Sequence, residues 1–451
     1  MTLDPGAAAE ATAAEGTPER RKQIRKAALA STVGTTIEWY DFFLYNTAAA
    51  LVFPAVFFPA SSNYVGTLES FATYAVGFAA RPIGAFIFGH YGDRIGRKAT
   101  LIITLLMMGL ATTLVGVLPG TDTIGLWAPS LLILLRVLQG LAVGGEWGGS
   151  VLLSMEWGDQ KRRGFMGSLP QLGVAFGLIL GTGFLYLLSA GLSDSQFTSW
   201  GWRIPFLFSL VMVAIGLYIR LKILETPMFA KRLQEKSISK LPSVDALKHH
   251  WKPIVLSALA RLSEQAPFYV ITAFTLTYLT KTQGYSTSFA LAAILSAAAL
   301  ELIAVPLFGH LSDTIGRKKV YMAGAALTGI YSFVLFAAMG SGVAVLAFLG
   351  MFVALIPHAM QYGPQASLIA ESFPTSLRYA GAGMGYQLAS VIAGGPAPLV
   401  ATYLQKNANS IYWIPAAIFG CAVVSLIAVA RMDDHSHSDI TDDAAYAPAR
   451  A

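Results

Sequence analysis

GHYGDRIGRK at residues 89–98 returns as GHLSDTIGRK at residues 309–318, each copy a polar phrase between long apolar runs. Gly89, His90, Asp93, Ile95, Gly96, Arg97 and Lys98 recur as Gly309, His310, Asp313, Ile315, Gly316, Arg317 and Lys318. A second echo runs in the same order: Glu156 stands seven residues before Arg163, and Glu371 seven before Arg378. Two anchors repeated in one order indicate a duplicated unit. Parallel repeats about an axis along the membrane normal are a known membrane-protein plan.

The surroundings set the size of that unit. The chain has 451 residues, of which 55% are hydrophobic and 12% charged; a soluble domain carries roughly a quarter charged residues. The apolar residues come in runs of ~20 or more, enough to cross a ~30 Å hydrocarbon core as helix. Twelve such spans read out, six in each half. The expectation is an all-α polytopic membrane protein with twelve transmembrane helices in two pseudo-symmetric six-helix bundles, residues 27–224 and 253–431. A disordered basic tail (1–26), a cytoplasmic linker (225–252) and a disordered C-terminal tail (432–451) complete it. With a single cysteine, Cys421, disulfides play no part.

Charge orients the bundle. When alternate connectors are assigned to alternate sides, roughly 25 of the 31 Lys and Arg fall with the two termini and about three on the other side. The positive-inside rule then places both termini in the cytoplasm, in a cell inner membrane. The net charge of +6 is a topology signal. No compact basic domain exists for nucleic acid.

The repeated phrase has a physical use. Gly89 and Gly96, like Gly309 and Gly316, remove side chains where helices approach closely. Asp93 and its counterpart Asp313 suit a helix N-terminus, where free N–H groups and the dipole favour a carboxylate. Arg94, Arg97 and Arg317 can pair with acidic residues of a neighbouring connector. Together with Glu156, Arg163, Glu371 and Arg378 they are expected to form a cytoplasmic gate, made in one conformation and broken in another.

Both copies resemble the cytoplasmic signature of the major facilitator superfamily. RVLQGLAVGGEWGGSVLLSMEW (136–157) and EWYDFFLYN (38–46) resemble signatures of its metabolite:proton symporter family, and SWGWRIPF (199–206) and ESFPTSLRYAGAGMGYQLAS (371–390) extend the likeness over almost the whole chain. The resemblance implies a proton-coupled symporter working by alternating access. Carriers in that family take shikimate, 2-oxoglutarate, citrate, or betaine- and proline-type osmolytes. ARLSE (260–264) and the His358 region look most like the shikimate-type carriers, a pattern from which Glu301 departs.

Ionisable groups inside a membrane cost ~2.5–3.5 kcal/mol each even on the lenient insertion scale, so each is a functional candidate. Glu38 and Asp41 are three apart and share a helix face. Arg136 lies in the fourth span. An Asp41–Arg136 pair would neutralise both groups, and a proton on Asp41 would free Arg136; a static structural pair is the alternative. The resemblance supports coupling, since related sugar:proton symporters use an aspartate in helix 1 and an arginine in helix 4. Glu146, in AVGGEWGG, is either a second protonation site or a structural hydrogen-bonding group. Arg81 either supports the core or snorkels, with a cytoplasmic or a central pairing equally open. Arg261 and Glu264 either satisfy each other or leave Arg261 to grip a substrate carboxylate. Glu301 is a proton site or a partner of Arg261. Asp41, Arg136, Glu146, Glu264 and Glu301 thus form the expected proton-coupling set.

Polar aromatics and amides complete the expected substrate site. Tyr45 and Gln171 lie in the first half; Tyr269, His358, Gln361, Tyr362, Tyr386 and Gln387 lie in the second. They fall on helices from which the facilitator plan lines its central cavity, and join Glu38, Arg136 and Arg261 as expected substrate contacts. His358 can change charge near neutral pH.

Other classes are disfavoured. No G-x-x-x-x-G-K-[ST] loop, H-E-x-x-H or G-x-S-x-G occurs, so no cofactor, metal or enzymatic activity is expected. The expected partners are a small polar, carboxylated metabolite, a proton and the lipid bilayer, with the chain acting as a monomer. A proton-driven exporter, an osmolyte symporter and a transporter-like sensor are the alternatives.

Overall fold

In hydrocarbon every backbone N–H and C=O must be satisfied within the protein, which leaves helices as the means of crossing for a chain of this pattern. The computed structural model describes residues 17–95, 97–157, 160–221, 242–375, 377–436 and 438, and contains no strand among them. Twelve membrane helices follow in order. The first half holds α1 (Pro18–Leu51), α2 (Asn63–Ile95), α3 (Arg97–Val117), α4 (Trp127–Trp157), α5 (Arg163–Gly191) and α6 (Arg203–Leu221). The second holds α7 (251–282), α8 (Thr287–Ile315), α9 (Arg317–Gly340), α10 (344–370), α11 (378–407) and α12 (Trp413–Ala430).

Among the described residues, nine helices are long and apolar enough to cross a membrane by composition alone. The other three are α1, α7 and α11. α1 carries Glu38 and Asp41 in its interior. α7 and α11 are broken by π turns at Val270–Phe274, Tyr278–Thr282 and Ser390–Gly394. The break in α11 falls just before Pro396, whose missing N–H cannot continue the ladder. π turns concentrate at functional positions, and these lie on the helices that carry Arg261 and Tyr386.

Duplication is visible in the packing. In the first half α1 lies on α5, α2 on α4, α3 on α6, and α3 on α4. In the second half α7 lies on α11, α8 on α10, α9 on α12, and α9 on α10. Exchanging the halves also relates contacts between the bundles: α2 with α11 to α8 with α5, and α4 with α11 to α10 with α5. The repeated lysine does the same job twice. Lys98 donates to the carbonyl of Leu221 at the end of α6 (2.8 Å), and Lys318 to that of Ala430 at the end of α12 (3.1 Å). A cation on a last carbonyl is favoured by the helix dipole.

The outer surface is apolar where lipid would touch it: Leu114, Leu210, Ile303, Ile330 and Ile427 are exposed. Trp127, Trp251 and Trp413, exposed at helix starts, suit the membrane–water interface.

Three boundaries differ from the sequence reading. α1 begins at Pro18, inside the segment expected to be disordered, because Arg, Lys and Gln propagate helix readily. The linker ends in a helix, Pro242–His249, whose Ser243 hydroxyl donates to the Phe86 carbonyl of α2 (3.2 Å). The expected C-terminal tail begins docked: the carbonyls of His435, Ser436 and Ser438 accept from the Arg163 guanidinium at 3.0, 3.4 and 3.1 Å.

Close packing within the first bundle depends on glycine. A Cβ on Gly177 of α5 would lie 2.6 Å from the Trp39 backbone of α1, and one on Gly144 of α4 would lie 2.0 Å from the Arg81 carbonyl of α2. The neighbour is backbone in both cases and cannot turn aside. Gly144→Ala is therefore expected to cost ~1–3 kcal/mol of overpacking. Thermal melting of the purified protein in detergent checks this, and a melting temperature equal to that of the wild type would contradict the packing argument.

Candidate functional site

Successive residues of a helix turn by about 100°, and that rotation separates the functions of α1. Asp41 faces α6, where Ser209 donates to its Oδ1 at 2.6 Å. Its neighbour Phe42 faces the centre of the molecule, against Tyr74 and Phe78 of α2 and Tyr269 of α7, at 5.0, 5.1 and 5.8 Å between ring centroids.

Two guanidinium groups lie among these rings. The Arg81 Cζ is 4.2 Å from the Phe78 ring centroid and 4.4 Å from that of Phe42. The Arg136 Cζ is 4.1 Å from the Tyr45 centroid, 4.7 Å from that of Phe42 and 5.0 Å from that of Tyr74. Cation–π contact helps to offset desolvation of each cation. It leaves N–H groups unused: Nε and Nη2 of both arginines are buried without a hydrogen-bond partner. The hydroxyls of Tyr74 and Tyr269 and the amide of Asn46, one turn beyond Phe42, are likewise buried and unpartnered. A buried polar group without a partner costs ~1–3 kcal/mol, and a charged one more. Such a concentration marks a place built to receive acceptors.

The expected Asp41–Arg136 ion pair does not form. Arg136 donates through Nη1 to the Gln139 side-chain oxygen (3.0 Å), and Gln139 donates to the Thr112 hydroxyl (2.7 Å). Thr112 stands beside the Asp41 carboxylate. The two charges are thus ends of a relay through α3, because Asp41 is turned to α6 while Arg136 lies on the central rings. Glu38 is buried in the field of Arg81 and Arg220. Tyr45, whose ring meets Arg136, hydrogen bonds through its hydroxyl to Thr73 (2.8 Å).

Glu146 is one half of a buried ion pair. Its partner is Arg220, buried at the end of α6.

In the second bundle four charged or titratable groups form one chain. Arg261 lies on Glu264 (Nη2 to Oε2, 3.0 Å) and donates to the Tyr386 carbonyl. Glu264 Oε1 lies 3.3 Å from His358 Nε2, and His358 Nδ1 contacts Glu301. Glu301 therefore meets His358, contrary to the option of pairing it with Arg261. Gln361 is turned away from the centre. It accepts from the Ser263 hydroxyl (2.5 Å) and donates to Thr328 (2.8 Å), so it braces α10 against α7 and α9 and contacts no central group.

The remaining expected residues join the bundles. Tyr386 stacks on Trp147 of α4 at 3.8 Å and 16°. Trp147 donates to Gln171 (3.2 Å), and Gln171 to the Tyr362 carbonyl (3.4 Å). Gln387 donates to the Val143 carbonyl (3.3 Å). The Tyr362 and Tyr386 hydroxyls lie 3.3 Å apart.

The residues expected at the gate meet around the second copy of the repeated phrase. Asp313 accepts from the backbone N–H groups of Gly164 (2.8 Å) and Phe165 (2.9 Å) at the start of α5, the role expected of an acid at a helix N-terminus. Arg317 lies on Asp313 (3.0 Å) and on Glu371 (3.3 Å), and Glu371 accepts from Arg163 across the bundles (2.8 Å). Gly309 packs on Ser168, where a Cβ would come within 2.6 Å, and Gly316 has φ +101°, open to glycine without strain. Arg378 Nε donates to the Phe373 carbonyl (3.1 Å). Gly89 packs against Ala380 of α11. Gly96 and the side chains of Asp93, Arg94, Arg97 and Glu156 lie outside the described residues.

Sequence reasoning undervalued Arg81 and missed Asn46, Tyr74, Trp147 and Ser209. Arg81 is a charge within an apolar run, which is the signal that marks such a residue. An uncharged side chain in a span carries no comparable signal.

This architecture has known relatives. The family profile described as "Sugar (and other) transporter" matches residues 26–240, and that of the "Major Facilitator Superfamily" matches residues 269–445. The chain is 42% identical to the shikimate transporter of Escherichia coli (strain K12) over 91% of this chain and 95% of that one. It is 41% identical to an inner membrane metabolite transport protein of the same strain, over 89% and 93%. The proton:xylose symporter XylE superposes with a TM-score of 0.76 at 17% identity, covering 94% of this chain and 99% of that one. The chain is a transporter of the major facilitator superfamily, one of its multi-pass metabolite transport proteins.

Proposed function

We propose that this transporter imports a small hydroxylated carboxylate together with protons, by alternating access, across a bacterial inner membrane with both termini in the cytoplasm. One observation carries the substrate class. Arg81 and Arg136 hold unused N–H donors, buried, over shared aromatic rings at the junction of the bundles. A carboxylate satisfies such donors with charge-assisted hydrogen bonds. The free hydroxyls of Tyr74 and Tyr269 and the amide of Asn46 then suit the hydroxyls of a cyclic acid of the shikimate kind, in keeping with the 42% identical relative. A betaine-type substrate fits less well. It would place its own cation over aromatic rings, and Phe42 is already approached by two guanidinium groups.

Proton coupling is assigned to Asp41. A proton there removes the charge that faces Ser209 and Thr112, and the relay through Gln139 transmits the change to Arg136. The Arg163–Glu371–Arg317–Asp313 cluster closes the terminal face while the substrate site is reached from the opposite one. There a cleft of about 580 Å³ runs between the end of α1 and the ends of α7 and α8, lined in part by Phe58, Ser62, Thr280 and Lys281.

Two outcomes test this reading in proteoliposomes. Arg136→Gln or Arg81→Gln removes charge-assisted hydrogen bonds of ~1.5–3 kcal/mol, which weakens half-saturation by shikimate-like acids ~10–100-fold; uptake with unaltered affinity would refute the anion site. Asp41→Asn is expected to abolish accumulation driven by a pH gradient and to leave counterflow exchange intact. Uphill uptake at the wild-type level in that variant would remove Asp41 from the coupling path.

A further inference from the structure

We propose that His358, held between Glu264 and Glu301, forms a second proton-binding site, whose occupancy sets the Trp147–Tyr386 stack between the bundles. The inference rests on the reading of a proton-driven transporter but not on which substrate it carries.

The argument begins with the count of hydrogens. A neutral imidazole has one N–H and one lone pair. Here both ring nitrogens lie on carboxylates, Nδ1 on Glu301 and Nε2 on Glu264. With a neutral ring and two ionised carboxylates, one contact would set a nitrogen lone pair against an anionic oxygen. The arrangement holds together only with one more proton, on the ring or on one of the two carboxylates. The charge count agrees. Arg261, Glu264, Glu301 and an imidazolium sum to zero, whereas a neutral ring leaves one net negative charge buried in the bundle, which is costly.

Every element around the ring contributes to the cluster. α8 supplies Glu301, and α7 supplies Glu264, Arg261 and the ring of Phe268, stacked on His358 at 4.5 Å. α10 itself supplies Tyr362, stacked at 4.9 Å, and Gln365, which donates to Glu264 at 3.0 Å. Tyr321 of α9 lies 3.3 Å from Gln365, Tyr386 of α11 touches the Tyr362 hydroxyl, and α5 presents the neutral Gln171 to the Tyr362 carbonyl. Arg261 is the only permanent cation in this set.

Release of the proton has a defined route to the interface. The proton leaves the His358–Glu301 pair, and the neutral ring keeps its N–H toward Glu301, which has no other hydrogen-bond partner among the described residues. The Nε2 lone pair then faces Glu264 Oε1 and repels it. Glu264 is tied to Arg261, and the Arg261 Cζ lies 3.3 Å from the Tyr386 ring centroid while its Nη1 donates to the Tyr386 carbonyl. Tyr386 is the residue stacked on Trp147 of the first bundle. A shift of Glu264 and Arg261 therefore bears on an inter-bundle contact.

The test reads Trp147 in the purified full chain, in detergent, without substrate. Tryptophan emission is recorded between about pH 5 and 9, with Trp147→Phe subtracted as the blank. The expected wild-type result is a single-proton transition in the Trp147 signal. Glu301→Gln allows a neutral ring to satisfy both neighbours, so its transition is expected to vanish or to move down by at least about one pH unit; His358→Gln should abolish it. Melting temperatures of the variants establish that they are folded. A folded wild type with no transition, or folded variants that keep the wild-type midpoint, would overturn the proposal. A transition that behaves as expected, in a protein that takes up none of the acids, would leave this site standing and defeat the substrate reading instead.

Discussion

An ion in the interior of a membrane protein needs a partner, and this requirement organises the molecule. Three solutions occur side by side. Glu146 and Arg220 neutralise each other within the first bundle. Arg261, Glu264, His358 and Glu301 form a chain in the second that is neutral only with an added proton. Arg81 and Arg136 lie against aromatic rings and keep N–H groups in hand. The first is closed on itself. On the function proposed above, the other two leave something for a proton or a substrate to complete.

The duplicated sequence makes a duplicated scaffold but not a duplicated centre. Matching helix contacts and the two lysine caps at the ends of α6 and α12 follow the repeat closely. The first helix of each half carries an i,i+3 pair, Glu38–Asp41 and Arg261–Glu264, yet the two pairs differ in charge and in surroundings. The first bundle offers cations to the centre and the second offers carboxylates around an imidazole. On the function proposed above, the first bundle would hold the anion beside the Asp41 proton site, and the second bundle a further proton. The stack of Trp147 on Tyr386 and the Arg163–Glu371 pair connect the two bundles where rocking would separate them.

The terminal face shows how the second copy of the phrase, residues 309–318, is used. Its aspartate caps the start of a helix in the other bundle, its arginine ties that aspartate to Glu371, and its lysine caps the last helix of its own half. Three backbone carbonyls beyond α12 add to the same cluster through Arg163. These partners are far apart in sequence, so a single lost contact leaves others in place.

The amino-acid sequence by itself determined the class, the twelve helices, the duplication and the short list of interior charges. These follow from local quantities: the length of apolar runs, the repeat of a polar phrase, and the cost of any ion within a span. The start of α1 at Pro18 escaped it because a basic segment reads the same as helix or as coil. Only the tertiary structure decided which charges meet. Asp41 and Arg136 are a plausible pair by spacing, but helix rotation turns one to Ser209 and the other onto Tyr45. Gln361 looked like a ligand contact and proved to face Ser263 and Thr328, while Glu146 found its partner in Arg220 at the far end of α6. Partnership depends on the angle and height at which two helices pack, and that geometry is set by the whole bundle at once.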